Sequence, residues 1–169
     1  MKITDSTVLD EEIEANQIST NSLVLKKSLN PLIWNNELLH EEVLDQALAI
    51  ADDYFEFITK DIGTNVNIHD IYFTGSLANY NWSKYSDFDI HIAVDYAKLN
   101  DNVELISSYF RDRTTLYSLK NKYNIEGFEV ELNMNDIVKF RENAGVYSLL
   151  KNKWIQKPNI NEISIDYDS

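Results

Sequence analysis

The stretch TGSLANYNWSKYSDFDIHI, residues 74–92, concentrates side chains able to do chemistry. Asp87 and Asp89 flank Phe88 at the mouth of an apolar-leaning run. The two-residue period of a strand puts both carboxylates on one face, close enough to grip the same cation, while Phe88 and Ile90 point into a core. A later run, GFEVELNM at 127–134, alternates Phe128, Val130 and Leu132 with Glu129 and Glu131. Its hydrophobic neighbours can anchor Glu131 beside the aspartates, with Glu129 on the same face. Three converging carboxylates form an all-oxygen donor set that suits Mg2+ or Mn2+ and not zinc. Two such ions can hold an attacking oxygen and a leaving phosphate in line. Upstream, Gly75-Ser76 lies where an apolar strand stops. Glycine lets a backbone approach a phosphate closely, and Ser76 offers an N–H and a hydroxyl at the start of a short helix, Leu77-Ala78-Asn79.

An Asp-x-Asp alone says little in a chain with fifteen aspartates, and a second one, Asp166-Tyr167-Asp168, stands in the polar tail. The context of the first is more restrictive. The chain has four glycines, and Gly75 is the one followed by serine.

The elements needed to position these groups can be read from periodicity. Residues 68–74, IHDIYFT, and 88–94, FDIHIAV, read as strands, and 127–134 as a third. NNELLHEEVLDQALAIADDYFEFITK has helical spacing at Leu39, Val43, Leu44, Ala47, Ala51, Tyr54, Phe55 and Ile58, with Asn35 or Asn36 as N-cap, acids on its outer face, and Gly63 after its end. Residues 101–122 read as a helix with Val103, Ile106, Phe110 and Tyr117 on its apolar face. MNDIVKFRENAGVYSLLKNKW is expected to close the domain as one or two helices, loosened near Gly145. The predicted fold class is α+β, a mixed β-sheet flanked by helices. Residues 1–30 read as a poorly ordered or peripheral N-terminal arm, 31–157 as the domain, and 158–169 as a C-terminal tail.

Gly75-Ser76, a ten-residue spacer and Asp87-x-Asp89 leading a strand resemble the signature of the DNA polymerase β-like nucleotidyltransferase superfamily. Val130-Glu131-Leu132 is similar to the setting of that family's third carboxylate. The spacing also resembles the minimal nucleotidyltransferases, among them antitoxins paired with HEPN toxins. The wider pattern from Leu29-Asn30-Pro31 to GVYSLLKNKW looks more like small stand-alone nucleotidyltransferases predicted in bacteriophage genomes. The resemblance covers roughly residues 29–157 and, beyond the motif, is general. It implies a nucleotidyltransferase-type fold and metal-dependent transfer of an NMP, AMP for preference, from an NTP to an acceptor hydroxyl with release of pyrophosphate. Gly75 and Ser76 would bind the triphosphate. Asp87 and Asp89 would coordinate metal, and Glu131 would complete the metal set and help remove the acceptor proton, with Glu129 in reserve. The minimal antitoxins carry arginine after the Gly-Ser pair, whereas this chain has Leu77. The alternative on the same fold is a catalytically inactive module that binds a nucleotide or a partner.

A cation for the triphosphate must then come from elsewhere. Lys84 in the spacer, and Lys151 and Lys153 on a terminal helix folding back over the cleft, are the candidates, beside Arg111, Arg113, Lys120 and Lys122. An exposed loop lysine is the plainer account of Lys84. His91 shares the parity of the aspartates, and a hydrogen-bonded, half-buried histidine is a simpler reading than a catalytic base. Tyr80, Trp82 and Tyr85 can stack on a base or simply pack. Asn79 and Asn81 can contact a sugar or base, with capping and turn duties the plainer reading.

The net charge of −13 disfavours a grip on long nucleic acid through its phosphates, which would want the opposite sign. It leaves ATP as the expected donor, with a protein side chain, an RNA end or a small molecule as acceptor, and allows a homodimer. With 44% apolar and 12% aromatic residues the chain can fold around a core. No stretch approaches the ~20 apolar residues of a membrane span, and an acidic, polar N-terminus suggests cytoplasmic residence, the host's if phage-encoded.

Overall fold

Three longer strands form the centre of one six-stranded sheet, and two helices cover one of its faces. The computed structural model describes residues 25–137 and 144–159. In chain order the elements are β1 (Trp34–Asn35), β2 (Leu38–Leu39), α1 (Glu41–Thr59), β3 (Ile68–Thr74), β4 (Phe88–Val94), α2 (Val103–Lys120), β5 (Asn124–Ile125), β6 (Phe128–Asp136), β7 (Val146–Ser148) and β8 (Lys153–Gln156). β1 and β2 form a separate small hairpin, and the main sheet runs β5-β6-β4-β3-β7-β8. β4 and β6 are parallel, joined through α2, and the remaining pairs are antiparallel. The α+β class with a mixed sheet is therefore as expected.

The core lies between the helices and the sheet face that carries Ile71, Phe73, Phe88, Ile90, Ile92 and Leu132. Helix α1 contributes Val43, Ala47, Ala51, Tyr54 and Ile58, and α2 contributes Phe110 and Tyr117. Phe73 and Phe88 stack with centroids 4.0 Å apart. The opposite face carries Tyr72, Ala93 and Val146 as a separate small cluster. Helix α2 is capped by Asn102, whose side chain accepts the Leu105 N–H at 3.1 Å.

Three expectations need correction. The first helix begins at Glu41, with His40 and not Asn35 or Asn36 at its N-cap. Asn36, at φ 58°, instead turns the β1–β2 hairpin, which places Leu39 off the helix yet still in the core. The closing segment is no helix where described: β7 joins β3, and β8 joins β7 through a turn containing Asn152 at φ 51°. Aromatic packing accounts for this, because Trp34 stacks on Trp154 at 4.6 Å and meets the edge of Tyr147 at 5.1 Å. A helix would not deliver both rings to one site. Finally, the third strand continues to Asp136, beyond the predicted 134. Most of the N-terminal arm, most of the C-terminal tail and the second Asp-x-Asp lie outside the described residues. Among the described residues, no helix is long and apolar enough to cross a membrane.

Candidate metal centre

The end of β3 and the beginnings of β4 and β6 meet at one end of the sheet. Register does the positioning: Asp89 is paired with Thr74 on one side and with Glu131 on the other. Side chains of paired residues share a face, so Asp89 and Glu131 project together from the face opposite the helical core. Asp87 stands just before β4. Asp87, Asp89 and Glu131 each bring a carboxylate oxygen within 4.8 Å of the others, a group that could hold a metal ion. Glu129 is exposed and outside this group. The choice between the two glutamates, open on sequence alone, is made by register in favour of Glu131.

Asp89 is the half-buried member, between two exposed carboxylates. Its Oδ1 is sequestered without a hydrogen-bond partner. Burial first, then the neighbouring Glu131 and Asp87 charges, push its carboxyl up to about 7. An orphaned oxygen among like charges is the donor set a divalent cation would relieve.

The Gly75–Ser76 turn is held against this cluster. Gly75 has φ 85° and ψ −171°, a region essentially restricted to glycine. A Cβ there would meet the Asp89 carboxyl group. The short helix expected to start at Leu77-Ala78-Asn79 does not form: Asn79 is already extended, and Ser76 to Ala78 make a single 3-10 turn. Three contacts pin it. Asn79 Nδ2 donates to Gly75 O at 2.7 Å, Asn79 Oδ1 accepts the Gly145 N–H at 2.8 Å, and Trp34 Nε1 donates to Leu77 O at 2.7 Å. The Ser76 hydroxyl donates to Ser86 Oγ at 2.6 Å, and Ser86 Oγ also takes the Ser83 N–H at 2.9 Å. The spacer loop is thereby tied back on the turn, one residue before Asp87. Ser86 and Trp34 had no signal as site residues in the sequence. Asn79 performs the turn duty expected of it.

The candidate cations fare differently. Lys151 Nζ lies 3.5 Å from Asp70 Oδ2, a wholly buried carboxylate whose other oxygen accepts the Ser148 hydroxyl at 2.7 Å. Lys153 sits on β8, at the sheet edge remote from β6. Neither is carried on a terminal helix over the cleft. Lys84 places its ammonium 5.0 Å from the centre of the Tyr85 ring. Leu77 is fully buried. Lys122 instead lines a cleft of about 420 Å3 together with Asp87, Glu129 and Glu131. Arg113 is committed elsewhere, to Asp61 at 3.2 Å. His91 bonds Asn135 through Nδ1 at 2.7 Å and is half-buried, in keeping with a structural histidine. No protein-family model, no curated protein and no solved structure matches this chain.

Proposed function

We propose that the protein is a metal-dependent nucleotidyltransferase of the DNA polymerase β-like type, moving a nucleoside monophosphate from a triphosphate, ATP for preference, to an acceptor hydroxyl. The observation that carries this reading is the orphaned, buried Oδ1 of Asp89 within a carboxylate group set directly against a glycine–serine turn. Across the sheet the order is turn on β3, Asp89 on β4, Glu131 on β6. Asp87, Asp89 and Glu131 would hold Mg2+ or Mn2+, which supplies charge neutralisation for the phosphates when bound. Gly75, whose lack of a side chain leaves the backbone approachable, and Ser76 would seat the outer phosphates. The acceptor oxygen forms a bond to the α-phosphorus, the bond to pyrophosphate breaks, and Glu131, an exposed carboxylate on the site's strand farthest from the turn, accepts the proton of the hydroxyl. Lys122, which lines the same cleft as Asp87 and Glu131, is the candidate for a cation facing the acceptor side.

The test is calorimetric titration of a non-hydrolysable ATP analogue with Mg2+, repeated in EDTA and with Asp87→Asn/Asp89→Asn. Binding that requires both metal and carboxylates is the expected result. A folded wild-type protein that binds no ATP, GTP, CTP or UTP analogue would sink the reading. One observation favours a second reading, a module that holds the nucleotide without transferring it: the residue after Gly-Ser is the buried Leu77, and Lys151 is paired with Asp70. Tight analogue binding with no pyrophosphate release across acceptor classes would select it.

A further inference from the structure

Strand β6 is paired from Val130 to its end on one side and only at its start on the other. Toward the sheet it follows β4 from Phe88↔Val130 to Val94↔Asp136. On the outer side β5 pairs with Phe128 and Glu129, and Tyr123 O accepts the Val130 N–H at 2.9 Å. Beyond Val130, no described strand pairs with that side. In a parallel ladder the N–H and C=O of a residue point to the same side, and successive residues alternate. The outward Val130 N–H therefore sets the phase: the peptide groups of Leu132 and Met134 also face outward.

This edge is not smothered by the neighbouring helix. The 420 Å3 cleft runs along it, between Thr115, Ser118 and Lys122 on the α2 side and residues 129–133 of β6, and opens on Asp87 and Glu131. A second cleft of about 290 Å3 continues past Met134 to Arg111 and shares Thr114, Thr115 and Asn133 with the first. Unpaired strand edges are templates for another strand, with main-chain bonds supplying affinity. Here the template leads into the carboxylate group.

We propose that the acceptor is a polypeptide segment bearing a Ser, Thr or Tyr hydroxyl, bound in extended form as an added strand on the free edge of β6. The proposal rests on the transferase reading and names its substrate class. A guest strand would lie about 4.8 Å beyond β6. Alternate guest side chains share the face of Glu131 and Asn133, so a hydroxyl there reaches the site from the side opposite Gly75, the order an in-line displacement needs. The hydroxyl oxygen bonds to the α-phosphorus, pyrophosphate leaves, and the proton passes to Glu131 and then to solvent. Charge selects the guest. With −13 overall and Asp87, Glu129 and Glu131 at the mouth of the cleft, a second copy of this chain would set acid against acid, whereas Lys or Arg flanking the hydroxyl residue is attracted. A polynucleotide would find Arg111 and Lys122 as the cleft's cations, too few for a row of phosphates.

The experiment uses the full chain with Mg2+ and ATP labelled at the α-phosphate. The probes are an equimolar library of Lys-flanked peptides about nine residues long, with Val and Thr alternating around a central Ser, Thr or Tyr, and the same library N-methylated at alternate residues. A ribo-oligonucleotide and an aminated polyol are run beside them, and amide exchange at Leu132 and Met134 is followed with each probe. The expected result is label on the plain peptides, at least about tenfold less on the N-methylated ones, and slowed exchange at Leu132 and Met134. Met134→Pro removes one outward N–H at a position where an edge strand tolerates proline. It is expected to abolish peptide labelling while leaving ATP-analogue binding unchanged, and the N-methyl comparison on the unaltered protein decides the matter should that variant not fold. Equal labelling of the N-methylated library, label confined to the oligonucleotide or polyol, or no slowing of exchange would overturn the proposal. If the analogue binds and the peptides fail, this proposal alone falls. If the analogue does not bind, the transferase reading falls and takes the proposal with it.

Discussion

Asp89 lies across the backbone of Gly75: a Cβ on Gly75 would stand 3.1 Å from Asp89 Cγ and nearer still to Oδ2. The glycine therefore serves two ends, a backbone conformation closed to other residues and room for a carboxylate. Gly75→Ala must move either the turn or Asp89. The expected outcome is a loss of about 2 kcal/mol in stability, from the strained φ together with the collision, and loss of metal-dependent analogue binding. Chemical denaturation and calorimetry check both. A variant of unchanged stability with intact binding would show that the turn is softer than this contact implies.

The raised carboxyl of Asp89 makes a pH prediction. Its native pKa of about 7 exceeds an unfolded value of about 3.9, so between these values the native state binds more protons. Stability without metal should therefore fall as pH rises from about 4 to about 7, and level off above. A cation must displace the same proton, so its affinity should climb by up to about tenfold per pH unit below about 7 and then flatten. Thermal melts in EDTA and in saturating Mg2+ across this range test both trends. Asp89→Asn removes the repelled charge. At about pH 8 in EDTA it should raise Tm by about 2–4 °C, the shift that about 1 kcal/mol gives in a chain of this size, and abolish the response to Mg2+.

Register predicts different outcomes for the two glutamates of one strand. Glu131 pairs with Asp89 and belongs to the carboxylate group, whereas Glu129 is exposed and pairs with Asn124. Glu131→Gln should weaken Mn2+ binding by about tenfold or more, the loss of one charged ligand being worth above about 1.4 kcal/mol. Glu129→Gln should leave it within about twofold. Mn2+ electron paramagnetic resonance titration of the three proteins reads the difference directly.

The same pair shows how far sequence reasoning reaches. Alternation in FDIHIAV and FEVELNM was enough to place Asp89 and the glutamates on strands, because a sheet with one covered face imprints a period of two on its residues. Which glutamate stands level with Asp89 depends on register between strands separated by a helix, and no local pattern encodes that. The β7–β8 hairpin differs from the expected helix for a related reason. Val146, Leu149, Leu150 and Trp154 can be laid on a helical face, and only the rings of Trp34 and Phe73, distant in the chain, show why Tyr147 and Trp154 are strand residues. A local clue was present in Asn36 and Asn152, since asparagine accepts positive φ readily. The buried destination of Lys151 had no local clue, because its partner Asp70 lies on another strand.

That destination gives the last prediction. Lys151 was a candidate phosphate ligand by its charge and place near the end of the domain, yet its ammonium caps the buried carboxylate of Asp70. The two roles separate cleanly under substitution. If Lys151 is a structural partner, Lys151→Met leaves Asp70 buried without its counter-charge. The cost should be about 1–2 kcal/mol, less than for a fully buried pair because the lysine side chain is 55% exposed. Asp70→Asn, which keeps the acceptor for Ser148 but sheds the charge, should restore most of that loss when combined with Lys151→Met. ATP-analogue affinity should stay within about twofold throughout, since the pair lies well along β3 from the turn. A phosphate ligand would give the reverse: affinity falling about tenfold or more with Tm unmoved, and no rescue from Asp70→Asn. Denaturation curves on the four proteins of this cycle, each paired with a titration, distinguish the two, because removing Lys151 makes the Asp70 charge costly only if Lys151 neutralises it.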